Sequence, residues 1–158
     1  MPSIQDEIKQ TRPFPSRSAE AVVALMRTAD MVRRSVASVV EPAGITPQQY
    51  NVLRILRGAG EAGLPTLEIA ERMIEETPGI TRLLDRLESK VLVTRVRCDK
   101  DRRRVWCRIT PQGLDLLRQL DAPLQKADEA ALQTLGNHDL EQLIELLDKA
   151  RNVYRRIS

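Results

Sequence analysis

Ten basic side chains fall between Thr77 and Thr110: Arg82, Arg86, Lys90, Arg95, Arg97, Lys100, Arg102, Arg103, Arg104 and Arg108. Only Asp85, Glu88, Asp99 and Asp101 oppose them, so this stretch carries +6 while the whole chain carries +3 and the remainder −3. Guanidinium and hydroxyl groups at this density suit a polyanion, and phosphate is the polyanion they hold best. For a basic run taken alone, a solvated mixed-charge surface is the competing reading. Catalysis has no comparable signature. The chain has one histidine, no Gly-rich phosphate loop and no nucleophile elbow, and the adjacent Glu75 and Glu76 diverge from a helix rather than forming a dyad. The sequence is therefore expected to be no enzyme and to need no cofactor. His138, with no second His and no Cys spacing around it, reads as a helix-start surface residue rather than a metal ligand.

The elements that must carry these side chains follow from periodicity. Residues 1–16, with Pro2, Pro13 and Pro15, read as a flexible arm. From Arg17 to Val40 the apolar set Val22, Leu25, Met26, Ala29, Val32, Val36, Val39 and Val40 has helical spacing, ended by Glu41-Pro42-Ala43-Gly44. Thr46-Pro47-Gln48-Gln49 is a capping box with Pro at the first helical position, and the helix it starts runs to about Arg57. After a loop with Gly58, Gly60 and Gly63, a short helix carries Leu67, Ala70 and Met73. A fourth helix is expected from Thr77-Pro78, burying Ile80, Leu83, Leu84 and Leu87 and displaying Thr77, Thr81, Arg82, Asp85 and Arg86. Past Lys90 the period changes from 3.6 to 2. Thr94, Val96 and Cys98 alternate with Arg95 and Arg97, Val105, Cys107 and Ile109 alternate with Trp106 and Arg108, and Asp99 to Arg103 form a hairpin tip. A long helix then starts after Thr110-Pro111 and contains Pro123, which should kink it or force a local adjustment. The last helix, with Asn137 as N-cap, repeats Leu140, Leu143, Ile144, Leu147, Ala150, Tyr154 and Ile157.

Helix, turn, helix and charged hairpin, in that order, is the layout of a winged helix-turn-helix. A helix with Thr and Arg free on one face fits the major groove, where these side chains read base edges or hold phosphates. An Arg-tipped hairpin is thin enough for the minor groove, whose negative potential favours guanidinium. The fold class expected is mainly α with a small β wing. Residues 1–16 form the arm, 17–45 an N-terminal dimerisation helix, 46–110 the winged helix-turn-helix and 111–158 the C-terminal dimerisation helices. The apolar stripes of the outer helices call for a partner, expected to be a second copy of the chain.

The sequence resembles the MarR family, the multiple antibiotic resistance regulators, over residues 18–157. ITPQQYNVLRIL, PGITRLLDRLESKVLV and DKDRRRVWCRITPQG carry the resemblance, the most specific part being the wing with Asp101, Arg103, Thr110 and Gly113. It implies a homodimeric transcriptional regulator, in the main a repressor, that binds double-stranded DNA at an inverted repeat. Thr77, Pro78, Gly79, Thr81, Arg82 and Arg86 are then recognition-helix contacts. Arg103 is the minor-groove residue, with Asp101 holding its guanidinium by a charge-assisted hydrogen bond, and Arg102 is a phosphate contact. The resemblance also admits a small-molecule effector in the cleft between the dimer and DNA-binding lobes. Four residues depart from the family pattern. Glu75 and Glu76 put carboxylates before the recognition helix, Gly79 removes a side chain that often faces DNA, and Val91 stands where the family usually has Gly.

Other classes are bounded more loosely. At 42% apolar and 30% charged residues the chain is too apolar for disorder. No signal peptide and no membrane span is read, so a cytoplasmic location with free thiols is expected. Cys98 and Cys107 are placed on the inner face of the hairpin, where a free Cys is most often a small buried hydrophobe. Trp106 points away from Cys107 and is expected to pack against a helix or the wing base. Two alternatives to the DNA-binding regulator remain: a winged-helix module for protein contacts, and a repressor switched through Cys98 and Cys107.

Overall fold

The computed structural model describes residues 1–101 and 103–155. Arg102, expected to hold a phosphate, and Ile157, assigned to the last helix, lie outside the described residues. Helices dominate, joined by one small antiparallel sheet.

The chain opens with a single helical turn, α1 (Ile4–Glu7), not foreseen in the sequence. Ser3 and Asp6 form a reciprocal capping box there. The long α2 (Arg17–Val40) is capped by Ser16, whose hydroxyl accepts from Ala19 N. It ends in a 3-10 turn at Glu41–Ala43, which Gly44 closes at φ +83°.

Next comes α3 (Pro47–Ala59), with the expected Thr46 and Gln49 capping box. A second 3-10 turn leads into β1 (Leu64–Pro65), then α4 (Thr66–Arg72) and α5 (Ile80–Ser89). Strands β2 (Val93–Arg97) and β3 (Val105–Ile109) form the hairpin, and β1 pairs with the far edge of β3, giving the order β1-β3-β2. At two residues, β1 is too short to show alternation, so only its pairing with Cys107 and Trp106 reveals it.

The core sits among α3, α4, α5 and the sheet. Leu53, Leu56, Ile69, Leu84, Leu87, Val93 and Cys107 are fully buried there. Truncating Leu84 or Leu87 to Ala would cost about 2–5 kcal/mol. Leu117, Leu120 and Leu124 join this core from α6 (Pro111–Ala131), which packs along α2 and continues through Pro123.

The last helix, α7 (Asn137–Arg155), begins at Asn137 itself, one residue earlier than expected. Gly136 takes the cap position, because Asp139 reaches back to accept from Gly136 N at 3.3 Å and Leu140 N donates to Gly136 O. Among the described residues of α7 none is fully buried. Ile144, Leu146, Val153 and Tyr154 are exposed, as are Val22, Leu25, Met26 and Met31 of α2.

Candidate nucleic-acid interface

The helix expected from Thr77 starts instead at Ile80, with Gly79 in the cap position. Thr77, Pro78 and Gly79 therefore form the turn that precedes α5 rather than its first turn. The Thr77 hydroxyl donates back to Glu75 O at 3.0 Å, and Ile80 N donates to Thr77 O, so the expected capping oxygen is engaged locally. Gly79, with low helix propensity, marks the boundary.

Within α5 the division of faces matches the periodicity. Leu83, Leu84 and Leu87 are buried, whereas Thr81, Arg82, Asp85 and Arg86 are exposed. Arg82 and Arg86 lie four residues apart on one face, and neither guanidinium has a hydrogen bond or ion pair among the described residues. The pairing they would have with Asp85 or Glu88 on a merely solvated helix is absent, because both carboxylates are committed elsewhere.

Their partner is Arg95 of β2. Its Nη2 donates to Asp85 Oδ1 at 2.5 Å and to Glu88 Oε2 at 2.7 Å, and its Nε reaches the same Glu88 oxygen at 3.1 Å. Glu88 leads in raising the Arg95 pKa, partial desolvation opposes it, and Asp85 adds to the rise. Sequence reasoning missed this cluster. The signal was present as an i, i+3 pair of acids on α5 and an arginine at inward parity in β2, yet the hairpin register was needed to join them.

That register also corrects the cysteines. Arg95 stands opposite Cys107 and Val96 opposite Trp106. Opposed residues share a face, so Val93, Arg95, Cys107 and Ile109 face the core, while Thr94, Val96, Trp106 and Arg108 face out. Cys107 is fully buried, but Cys98 is not on the inner face. It lines an outer cleft of about 420 Å³ with Val96, Trp106 and Arg108. Burial pushes the Cys107 thiol pKa up.

At the hairpin tip, Asp101 does not hold the Arg103 guanidinium. Its Oδ1 accepts from the Arg103 backbone N at 3.0 Å, an Asx-turn, and its carbonyl accepts from Arg104 N at 2.9 Å. Cys98 N donates to Arg104 O and closes the hairpin end. The short side chain bonds its own backbone two residues on, which leaves the exposed Arg103 guanidinium unpaired among the described residues.

Val91 links helix to wing in a left-handed conformation, φ +62°, which a β-branched residue rarely adopts. Its N–H donates to Glu88 O and the next, Leu92 N, to Leu87 O, so the helix exit has glycine geometry without glycine.

A crystal structure of a MarR transcription factor from Planctomyces limnophilus is 38% identical to this chain, with a TM-score of 0.68, and the match covers 86% of this chain and 98% of that one. The chain belongs to the MarR family. The MarR family model itself matches residues 45–105, from just before α3 to the first residue of β3. The HTH-type transcriptional regulator FarR of Neisseria gonorrhoeae is 27% identical over 135 residues, which cover 85% of this chain and 91% of FarR. A mutant MarR from E. coli, solved in complex with operator DNA, is 26% identical with a TM-score of 0.73, covering 80% of this chain and 90% of that one. As a member of the MarR family the chain is a transcriptional regulator with a winged-helix fold. Among its described residues no helix is long and apolar enough to cross a membrane, and no group of three potential metal ligands is found.

Proposed function

We propose that the chain acts as a homodimer that binds double-stranded DNA at an inverted-repeat operator, represses transcription there and is released by a small molecule. The observation that carries DNA binding is the pair of guanidinium groups on α5, Arg82 and Arg86, without a partner among the described residues, beside a hairpin whose tip presents a third, Arg103. With Thr81, and with Thr77, Pro78 and Gly79 leading in, α5 offers donors to base edges and phosphates. Arg103 suits the narrow minor groove, with Asp101 shaping the turn that presents it. The operator complex of the E. coli relative supports the same reading.

Homodimer formation is supported by the apolar side chains that α2 and α7 leave exposed. Two-fold pairing through them sets two recognition helices about 34–36 Å apart, one DNA turn. Release by an effector is supported by a cleft of about 460 Å³ between the winged lobe and α6, lined by Gly44, Lys90, Leu92, Gln112, Asp115 and Leu116. A ligand there that changes the lobe spacing would prevent both half-sites from being engaged together.

Selection of bound fragments from the source genome tests the proposal. Enrichment of an inverted repeat with half-sites one helical turn apart is expected. Failure to enrich any duplex would reject DNA binding and favour the protein-contact module.

A further inference from the structure

Arg95 has the geometry of a clamp rather than of a contact residue. Its side chain is only 21% exposed, whereas Asp85 and Glu88 are 54% and 42% exposed. The guanidinium is thus turned inward, beneath the carboxylates and away from any duplex lying on α5. Its three hydrogen bonds run from the base of the hairpin to two successive turns of the recognition helix.

The position magnifies small movements. Arg103 lies beyond the end of β2, roughly 13 Å from Arg95 at the rise of an extended strand. A small tilt at the hairpin base therefore becomes a displacement of ångströms at Arg103. Backbone pairing holds β2 to β3, and Leu92 N donating to Leu87 O ties only the root of the hairpin to α5. Beyond apolar packing, the Arg95 bonds are the ion pairs among the described residues that join the two. The guanidinium is shielded while both carboxylates are open to solvent, so the bonds act chiefly on how the hairpin sits against α5. They also keep Asp85 and Glu88, which share the recognition helix with Arg82 and Arg86, from facing phosphates as bare charges.

We infer that Arg95 is a positioning residue that locks the wing to the recognition helix, so that both grooves are addressed by one rigid unit, and that it masks two carboxylates from the DNA. The inference rests on the DNA-binding reading above.

The test is footprinting of the full-length protein on a duplex enriched from genomic DNA. Dimethyl sulfate reports guanine N7 in the major groove, and hydroxyl radical reports the flanking minor grooves. For Arg95→Met, major-groove protection should persist at saturating protein, flanking protection should be lost, and affinity should fall about tenfold or more. Asp85→Asn with Glu88→Gln removes the same anchor from the exposed side, where folding is least at risk. It should lose flanking protection while binding more tightly than Arg95→Met, because no bare carboxylate remains. If either variant keeps both protections at wild-type concentrations, the clamp is wrong. Loss of both protections in proportion would mean a merely structural role and would equally overturn it. Failure of the wild-type protein to protect any duplex would instead defeat the DNA-binding reading itself.

Discussion

The Thr110 hydroxyl donates to the carbonyl of Val91 at 2.7 Å, tying the exit of the recognition helix to the start of α6. The same oxygen accepts from Gly113 N at 3.0 Å, so Thr110 is also the N-cap of α6. Thr110 N completes the tie by donating to Leu92 O. Gly113 is required for a steric reason: a Cβ there would sit 2.5 Å from Leu92 O. The Thr-x-x-Gly pattern thus marks the seam where wing, recognition helix and long helix meet.

Thr110→Val keeps the shape and removes both hydroxyl bonds. Loss of the cap and of a half-buried hydrogen bond should lower stability by about 2 kcal/mol. Urea denaturation checks this, with an unchanged slope and a lower midpoint expected; an unchanged midpoint would refute the double role.

Val91 holds a left-handed conformation that costs an L-residue about 1–2 kcal/mol, and at 59% exposure its side chain gains little from burial. Val91→Gly should stabilise the chain by about 1 kcal/mol after the extra freedom of the unfolded glycine is allowed for. The melting temperature should rise by about 2–4 °C. A fall would show that the exit turn has another conformation.

Much of this seam could be read from the sequence, and what could not has a common cause. The capping box at Thr46 and Gln49, the leucine face of α5 and the period change after Lys90 are local, and each appears where spacing put it. The misplacements all depended on pairing between distant segments or on a single competing bond. Cys98 went to the wrong face because the inner set depends on which residue opposes Cys107, and that partner is Arg95. The start of α5 moved because Thr77 bonds Glu75 O instead of capping. The Asp101 carboxylate found a backbone N–H nearer than the guanidinium. The substitution of Val91 for Gly was visible, but only the backbone shows that the turn kept its left-handed form.

Arg103→Ala should weaken operator binding about 10- to 100-fold while leaving the melting temperature and the dimer unchanged, because the side chain has no partner within the described fold. Gel shift beside thermal unfolding checks it. Undiminished binding would remove Arg103 from the interface.

The two thiols should separate in reactivity. Cys98, half-exposed, should label quickly with a thiol reagent at neutral pH, and Cys107 only on unfolding. The raised Cys107 pKa carries a sign for stability. The neutral thiol is favoured in the folded state, so its contribution is full below the unfolded pKa and declines as pH rises through about 9, the ordinary value, towards the folded one. Cys107→Ala should flatten that alkaline decline in denaturation midpoints. Rapid labelling of both thiols in the native protein would contradict the burial, and would revive the thiol-switched repressor.

The salt dependence of binding to an enriched inverted-repeat duplex, followed by fluorescence anisotropy with the stoichiometry fixed by sedimentation, tests the central claim most directly. Two chains per duplex are predicted, with affinity falling on the order of 10³–10⁵ between about 50 and 200 mM salt as phosphate counterions are released. One chain per duplex, or no binding at the lowest salt, would contradict it.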